Sequence, residues 1–101
     1  MVRFVLVRLP ASPMERHRGA YYVRLMVVDR PGVIADVTAA LRDEQVSLAS
    51  MLQRGRAPDE AVPVVLVTHE TEEASMRRAL DRIAALNTVV EPPHMIRIET
   101  L

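Results

Sequence analysis

A chain of 101 residues, half of them apolar, can build one domain with an ordinary core, and no apolar run approaches the roughly 20 residues of a membrane span. Thirteen arginines balance thirteen acidic residues and lysine is absent, so the strong positive field of a nucleic-acid binder is missing. With no cysteine there is no disulfide, thiol nucleophile or thiolate metal site, and the composition fits a cytoplasmic protein.

Residues 1–9 alternate weakly and read as an extra edge strand or an expression remnant; Pro10-Ala11-Ser12-Pro13 then breaks regular structure, and residues 14–19 have a linker's composition. The predicted organisation is a leader over 1–19 and a domain over 20–101. The first strand of that domain covers 20–28, with Val23, Leu25 and Val27 on one face and Tyr22, Arg24, Met26 and Val28 on the other. Both faces are mostly apolar, so a sheet with helices on one side only would leave Met26 and Val28 in need of cover.

Asp29-Arg30-Pro31-Gly32 joins this strand to a helix predicted over 31–44, whose Val33, Ile34, Val37, Ala40 and Leu41 recur at helical spacing. Pro31 has a fixed φ suited to a first helical turn, and Gly32, without a Cβ, lets backbone or ligand approach. One reading is simply a well-made helix start. The other is that unpaired amides at the positive helix end, beside Asp29, hold a small polar ligand.

Gln45 is the predicted helix exit. The second strand, 46–54, sets Val46, Leu48 and Leu52 on one face and Ser47, Ala49, Met51 and Gln53 on the other. Residues 55–63 form a turn-rich connection, and Val64-Val65-Leu66-Val67 reads as a central strand. Thr71 is the predicted N-cap of a second helix, with Glu72 and Glu73 in its first turn and Met76, Ala79, Leu80, Ile83 and Leu86 as its buried stripe. Asn87 ends it in a left-handed conformation. The last strand begins at Val89-Val90, is interrupted by Pro92-Pro93 and resumes over 95–98, which restricts it to an edge or a bulge. Strand, helix, strand, strand, helix, strand has one common solution with right-handed crossovers. It is the ferredoxin-like α+β sandwich (βαββαβ), a four-stranded antiparallel sheet with both helices on one face.

Candidate chemistry is sparse. His17, His69 and His94 are scattered without metal-ligand spacing, no glycine-rich phosphate loop follows any strand, and no serine sits in a nucleophile elbow. No catalytic, metal or cofactor site is predicted. RNA binding by stacked bases fits poorly with one phenylalanine and two tyrosines.

Asp29-Arg30-Pro31-Gly32-Val33-Ile34-Ala35, followed by Gln45-Val46-Ser47-Leu48, resembles the opening of an ACT domain, the small-molecule-sensing module of many amino-acid-metabolism enzymes. Arg18-Gly19-Ala20-Tyr21-Tyr22-Val23-Arg24-Leu25, Gln53-Arg54-Gly55-Arg56-Ala57-Pro58 and Val64-Val65-Leu66-Val67-Thr68-His69-Glu70 are similar to the C-terminal ACT domain of bacterial homoserine dehydrogenases. The resemblance implies a regulatory chain that is not itself an enzyme, whose parent reduces aspartate semialdehyde with a nicotinamide cofactor in a separate Rossmann domain. It further implies threonine as effector and a side-by-side homodimer or larger homo-oligomer with the ligand at the seam. The ligand-binding residues it implies are Asp29, Arg30, Pro31, Gly32, Val33 and Ser47. Val27 departs from the pattern, since valine cannot hydrogen-bond a ligand. Asp29 would take an ammonium group, Ser47 would donate or accept, and the amides around Gly32 would meet a carboxylate. The alternative is a ligand-independent assembly domain that docks through Met26, Val28, Met51, Val65 and Val67.

Overall fold

The computed structural model describes the backbone of residues 2–6 and 18–100 and the side chains of residues 18–98. The linker expected before Gly19, with His17, lies mostly outside the described residues. Among the described residues six strands and two helices follow in order: β1 (Val2–Leu6), β2 (Arg18–Val28), α1 (Val33–Asp43), β3 (Leu48–Gln53), β4 (Ala61–Thr68), β5 (Thr71–Glu72), α2 (Glu73–Ala84) and β6 (His94–Thr100). The sheet runs β1-β6-β2-β4-β3, all antiparallel, with the short β5 beside the start of β2. Without β1 and β5 this is the ferredoxin-like arrangement expected from the order of elements.

Alternation along β2 sets the two faces. Tyr21, Val23, Leu25 and Val27 are all but fully buried against the helices, together with Val62, Val64 and Leu66 of β4. From the helices come Val33, Val37, Ala40 and Leu41 of α1 and Met76, Ala79 and Ile83 of α2, at the spacing that gives each helix one apolar stripe. Removing a leucine such as Leu25 or Leu66 from water contributes about 1.5–3 kcal/mol each, so these rows are the main source of stability. The opposite sheet face carries Tyr22, Met26, Val28, Val65 and Val67, half-buried, with neither α1 nor α2 over them.

The ends of the elements differ from expectation in instructive ways. Helix α1 starts at Val33, because Pro31 and Gly32 make a turn before it: Val33 N–H donates to the Arg30 carbonyl at 3.3 Å, and Gly32, at φ 87° and ψ −15°, has the third-residue geometry of a type II turn. At its other end Gln45 adopts φ 60°, its N–H reaching the Arg42 carbonyl and that of Val46 the Leu41 carbonyl, both at 2.9 Å. That is a Schellman exit, and the buried pair Leu41 and Val46 supplies its hydrophobic contact. Thr71 does not cap α2. It is buried in β5 opposite Gly19, and Glu72 holds the N-cap position without a side-chain hydrogen bond. Asn87 is not left-handed; α2 already ends at Ala84.

Two strand assignments also change. Strand β3 is bulged between Leu48 and Ser50, so its alternation flips: Leu48 lies opposite the buried Thr68, but Met51 pairs with Leu66 on the helix side and Leu52 with Val65 on the uncovered side. A period of two read straight through 46–54 puts Met51 on the wrong face. Strand β6 is interior rather than an edge, since β1 pairs along its outer side and both prolines fall before its first residue.

Candidate functional site

The turn between β2 and α1 is built by its neighbours. Asp29 follows β2 directly, with its N–H on the Glu60 carbonyl at 2.8 Å, and its own carbonyl accepts from Asp59 N–H at 3.0 Å. Its Oδ2 accepts from Arg56 Nε at 3.0 Å and from Ala57 N–H at 2.9 Å. The Arg56 hydrogen bond, then that of Ala57, holds the Asp29 carboxyl below its ordinary range. Beside it, Arg30 Nε reaches Asp59 Oδ1 at 3.2 Å. The carboxylate predicted for a ligand's ammonium group is therefore directed at the β3–β4 connection, where it latches residues 56–60 to the turn.

The other predicted residues divide in two. Val27 and Val33 are core residues, 1% and 4% exposed, and the Val33 amide is used by the turn. Pro31 and Gly32 are exposed, and a Cβ on Gly32 would meet no heavy atom within 4 Å. Gly32 offers no side chain to cap α1, and the next intrahelical donor after Val33 is Asp36 N–H, bonded to the Gly32 carbonyl at 3.0 Å. Ile34 and Ala35 thus present their amides at the positive end of an eleven-residue helix.

Ser47 is exposed just before β3, its carbonyl accepting from His69 N–H at 2.9 Å. It opens into a cleft of about 370 Å³ lined by Thr38, Leu41, Arg42, Gln45 and Leu48. Within one chain Ser47 does not meet Gly32. Leu48 is level with Thr68, and the Thr68 hydroxyl accepts from Tyr21 N–H at 3.0 Å, whereas Asp29 follows the far end of β2, where Val28 faces Ala61. Eight residues of strand separate the two levels, about 26 Å at roughly 3.3 Å per residue.

Sequence reading missed a buried polar group under the start of β2. Glu73, expected in a solvated first turn, is 1% exposed, and its Oε2 and the Tyr21 hydroxyl are buried without a hydrogen-bond partner. Burial first, and then the Glu73 carboxylate, pushes the Tyr21 hydroxyl up, against the opposing pull of Arg97. Glu73 falls on the same stripe as Met76 and Ile83, and that spacing was the available signal. Among the described residues no cluster of histidine and acidic side chains could hold a metal ion, and no helix is long and apolar enough to cross a membrane.

A four-stranded βαββαβ core with an exposed turn ahead of its first helix defines a small α+β module of the ferredoxin-like class. The pattern of the ACT domain family matches residues 21–87, and the chain belongs to that family. It is 38% identical over 97 residues to the homoserine dehydrogenase of Methylobacillus glycogenes, covering 95% of this chain and 24% of that protein. The homoserine dehydrogenase of Helicobacter pylori is 37% identical over 92 residues, covering 91% of this chain and 22% of its own length. Among solved structures, a homoserine dehydrogenase from Thiobacillus denitrificans superposes with a TM-score of 0.77 at 40% identity, over 90% of this chain and 20% of that one. The ACT domain of GTP pyrophosphokinase from Chlorobium tepidum shares the fold at 12% identity, with a TM-score of 0.60 over 84% of this chain and all of that one. The chain thus spans about a quarter or less of the length of the curated relatives it matches.

Proposed function

We propose that this chain is the regulatory part of a homoserine dehydrogenase, catalysis lying in another domain, and that it senses threonine or a related amino acid at a seam between two copies joined through β3. The observation that carries this is the separation of Ser47 from Gly32 within one chain. Strand β3 is an edge, and Met51 and Leu52 on it are 41% and 52% exposed. Antiparallel pairing of two β3 strands about a two-fold axis between Ser50 and Met51 sets Leu48 of one copy against Gln53 of the other. Ser47 then meets the stretch after Gln53, which Asp29 latches to the turn. One pairing closes a gap of about 26 Å twice, making two equal sites.

In each site the ligand carboxylate would meet the Ile34 and Ala35 amides beyond Gly32, and its hydroxyl would meet Ser47 of the second copy. Asp29 fixes the turn, Arg30 braces it through Asp59, and Pro31 and Val33 hold its ends.

Complementation tests this reading. Ser47→Ala removes the hydroxyl, and Gly32→Asp sets a carboxylate where the ligand's own would go, in a conformation aspartate tolerates. Each variant alone should lose threonine binding by calorimetry. A mixed and re-equilibrated sample should recover about a quarter of the wild-type sites, because half the dimers regain one native site. Failure of the mixture to bind, retention of full binding by either variant, or binding by a monomer in sedimentation would refute the seam; no binding of threonine or other common amino acids to the wild type would refute the sensor.

A further inference from the structure

The sheet face away from the helices carries two arginines that the core does not use. Arg24 on β2 and Arg54 just after β3 flank a groove of about 460 Å³ floored by Tyr22, Leu52, Pro63 and Val65. Arg24, Val65 and Leu52 form one row across β2, β4 and β3, and Arg54 lies a same-face step further on, its N–H on the Pro63 carbonyl at 2.9 Å. Strand spacing sets the two arginine Cα atoms about 12 Å apart, close enough for both side chains to flank Val65 in the same groove. Neither side chain has a hydrogen bond or ion pair, and no described side chain on this face of β2, β3, β4 or β6 is acidic.

We infer that this face is a docking surface for an amphipathic helix whose apolar stripe lies over Val65, Val67 and Leu52 and whose flanks bring carboxylates to Arg24 and Arg54. Three observations select that occupant. Strands β2 and β4 have neighbours on both sides, so nothing can add to them as a strand; an occupant must satisfy its own backbone and bury side chains only, which a helix does. A second copy docked by the same face would bring four unneutralised guanidinium groups together with no acidic group among them. An apolar occupant without carboxylates would strip water from both arginines and return nothing. The inference concerns the open face, which shares Leu52 and Arg54 with the β3 edge of the proposed seam but does not require that seam to bind an amino acid.

The test uses the 101-residue chain and two synthetic amphipathic helices of about 18 residues, identical in their leucine stripe but flanked by glutamate in one and lysine in the other. Binding is read by fluorescence anisotropy and mapped on amide resonances. The glutamate helix should bind about tenfold more tightly than the lysine helix, moving the amides of Arg24, Leu52 and Val65, and added salt should narrow the difference. Arg24→Glu with Arg54→Glu should invert the preference, and the neutral pair Arg24→Gln with Arg54→Gln should erase it while leaving the circular dichroism spectrum unchanged. Equal binding of both helices, a preference that survives both variant pairs, shifts confined to the helix side, or no saturable binding would each overturn the inference.

Discussion

Gly32→Ala tests the turn on which the candidate site depends. Gly32 has φ 87° and a Cβ there would touch nothing within 4 Å, so the substitution adds no clash beyond its own backbone. An L-residue with a Cβ in the left-handed region costs about 1–2 kcal/mol. The unfolded chain loses freedom when glycine becomes alanine, which returns about 0.4–1 kcal/mol, so the net loss is close to 1 kcal/mol. In a domain of this size that lowers the melting temperature by roughly 4–8 °C. Gly55 is an internal replicate, with φ 88° and the same open surroundings, and Gly55→Ala should cost as much. Asparagine tolerates this conformation, so Gly32→Asn should lose less than half as much as Gly32→Ala. Thermal unfolding by circular dichroism and urea titration at one pH would measure all three. If alanine is neutral at both positions, or asparagine is as costly as alanine, the turn is not what fixes the start of α1.

Thr68→Val should destabilise the fold by about 1–3 kcal/mol, because it leaves the buried Tyr21 N–H without its acceptor at constant shape. Thr68→Ser, which keeps the hydroxyl, should cost only the lost methyl, about 1 kcal/mol, and equal losses in urea unfolding would refute the hydrogen-bond account. The Asp29 carboxyl is held below its ordinary range by Arg56 and Ala57, and that of Asp43 by Arg82 and then Arg42. A depressed folded-state value gives stability that is present above the ordinary aspartate range, near pH 3.9, and lost as the pH falls through the folded-state value. Unfolding free energy should therefore be flat above about pH 5 and decline below about pH 4, and Asp29→Asn should make the decline shallower. An unchanged slope in that variant would show that the latch does not titrate.

The order of elements, both helical stripes and the central position of Val64 to Val67 were legible because each rests on a local period that the core then obeys. Failures came where tertiary contacts outvote local chemistry. Thr71 has a capping residue's chemistry, yet pairing opposite Gly19 draws it into β5. Met51 follows a regular alternation that the bulge after Leu48 breaks, and no residue type there announces a bulge. Asp29 stands beside a helix start, where an aspartate reads as a ligand group. Its actual partners, Arg56 and Ala57, are 27 and 28 residues away, a distance no local pattern spans. Gly32 and Ser47 are both exposed, but only strand register reveals that they stand at opposite ends of the sheet.

The Asp29 latch makes the ramp into the first helix and the hairpin tip at 56–60 one mechanical body. The mouth of α1 and that tip are joined by the Asp29 bonds to Arg56 and Ala57, and the tip begins where Arg54 leaves the sheet. An event on the helical side can thus be transmitted to the far side through a strap on the rim, at the cost of a few surface hydrogen bonds.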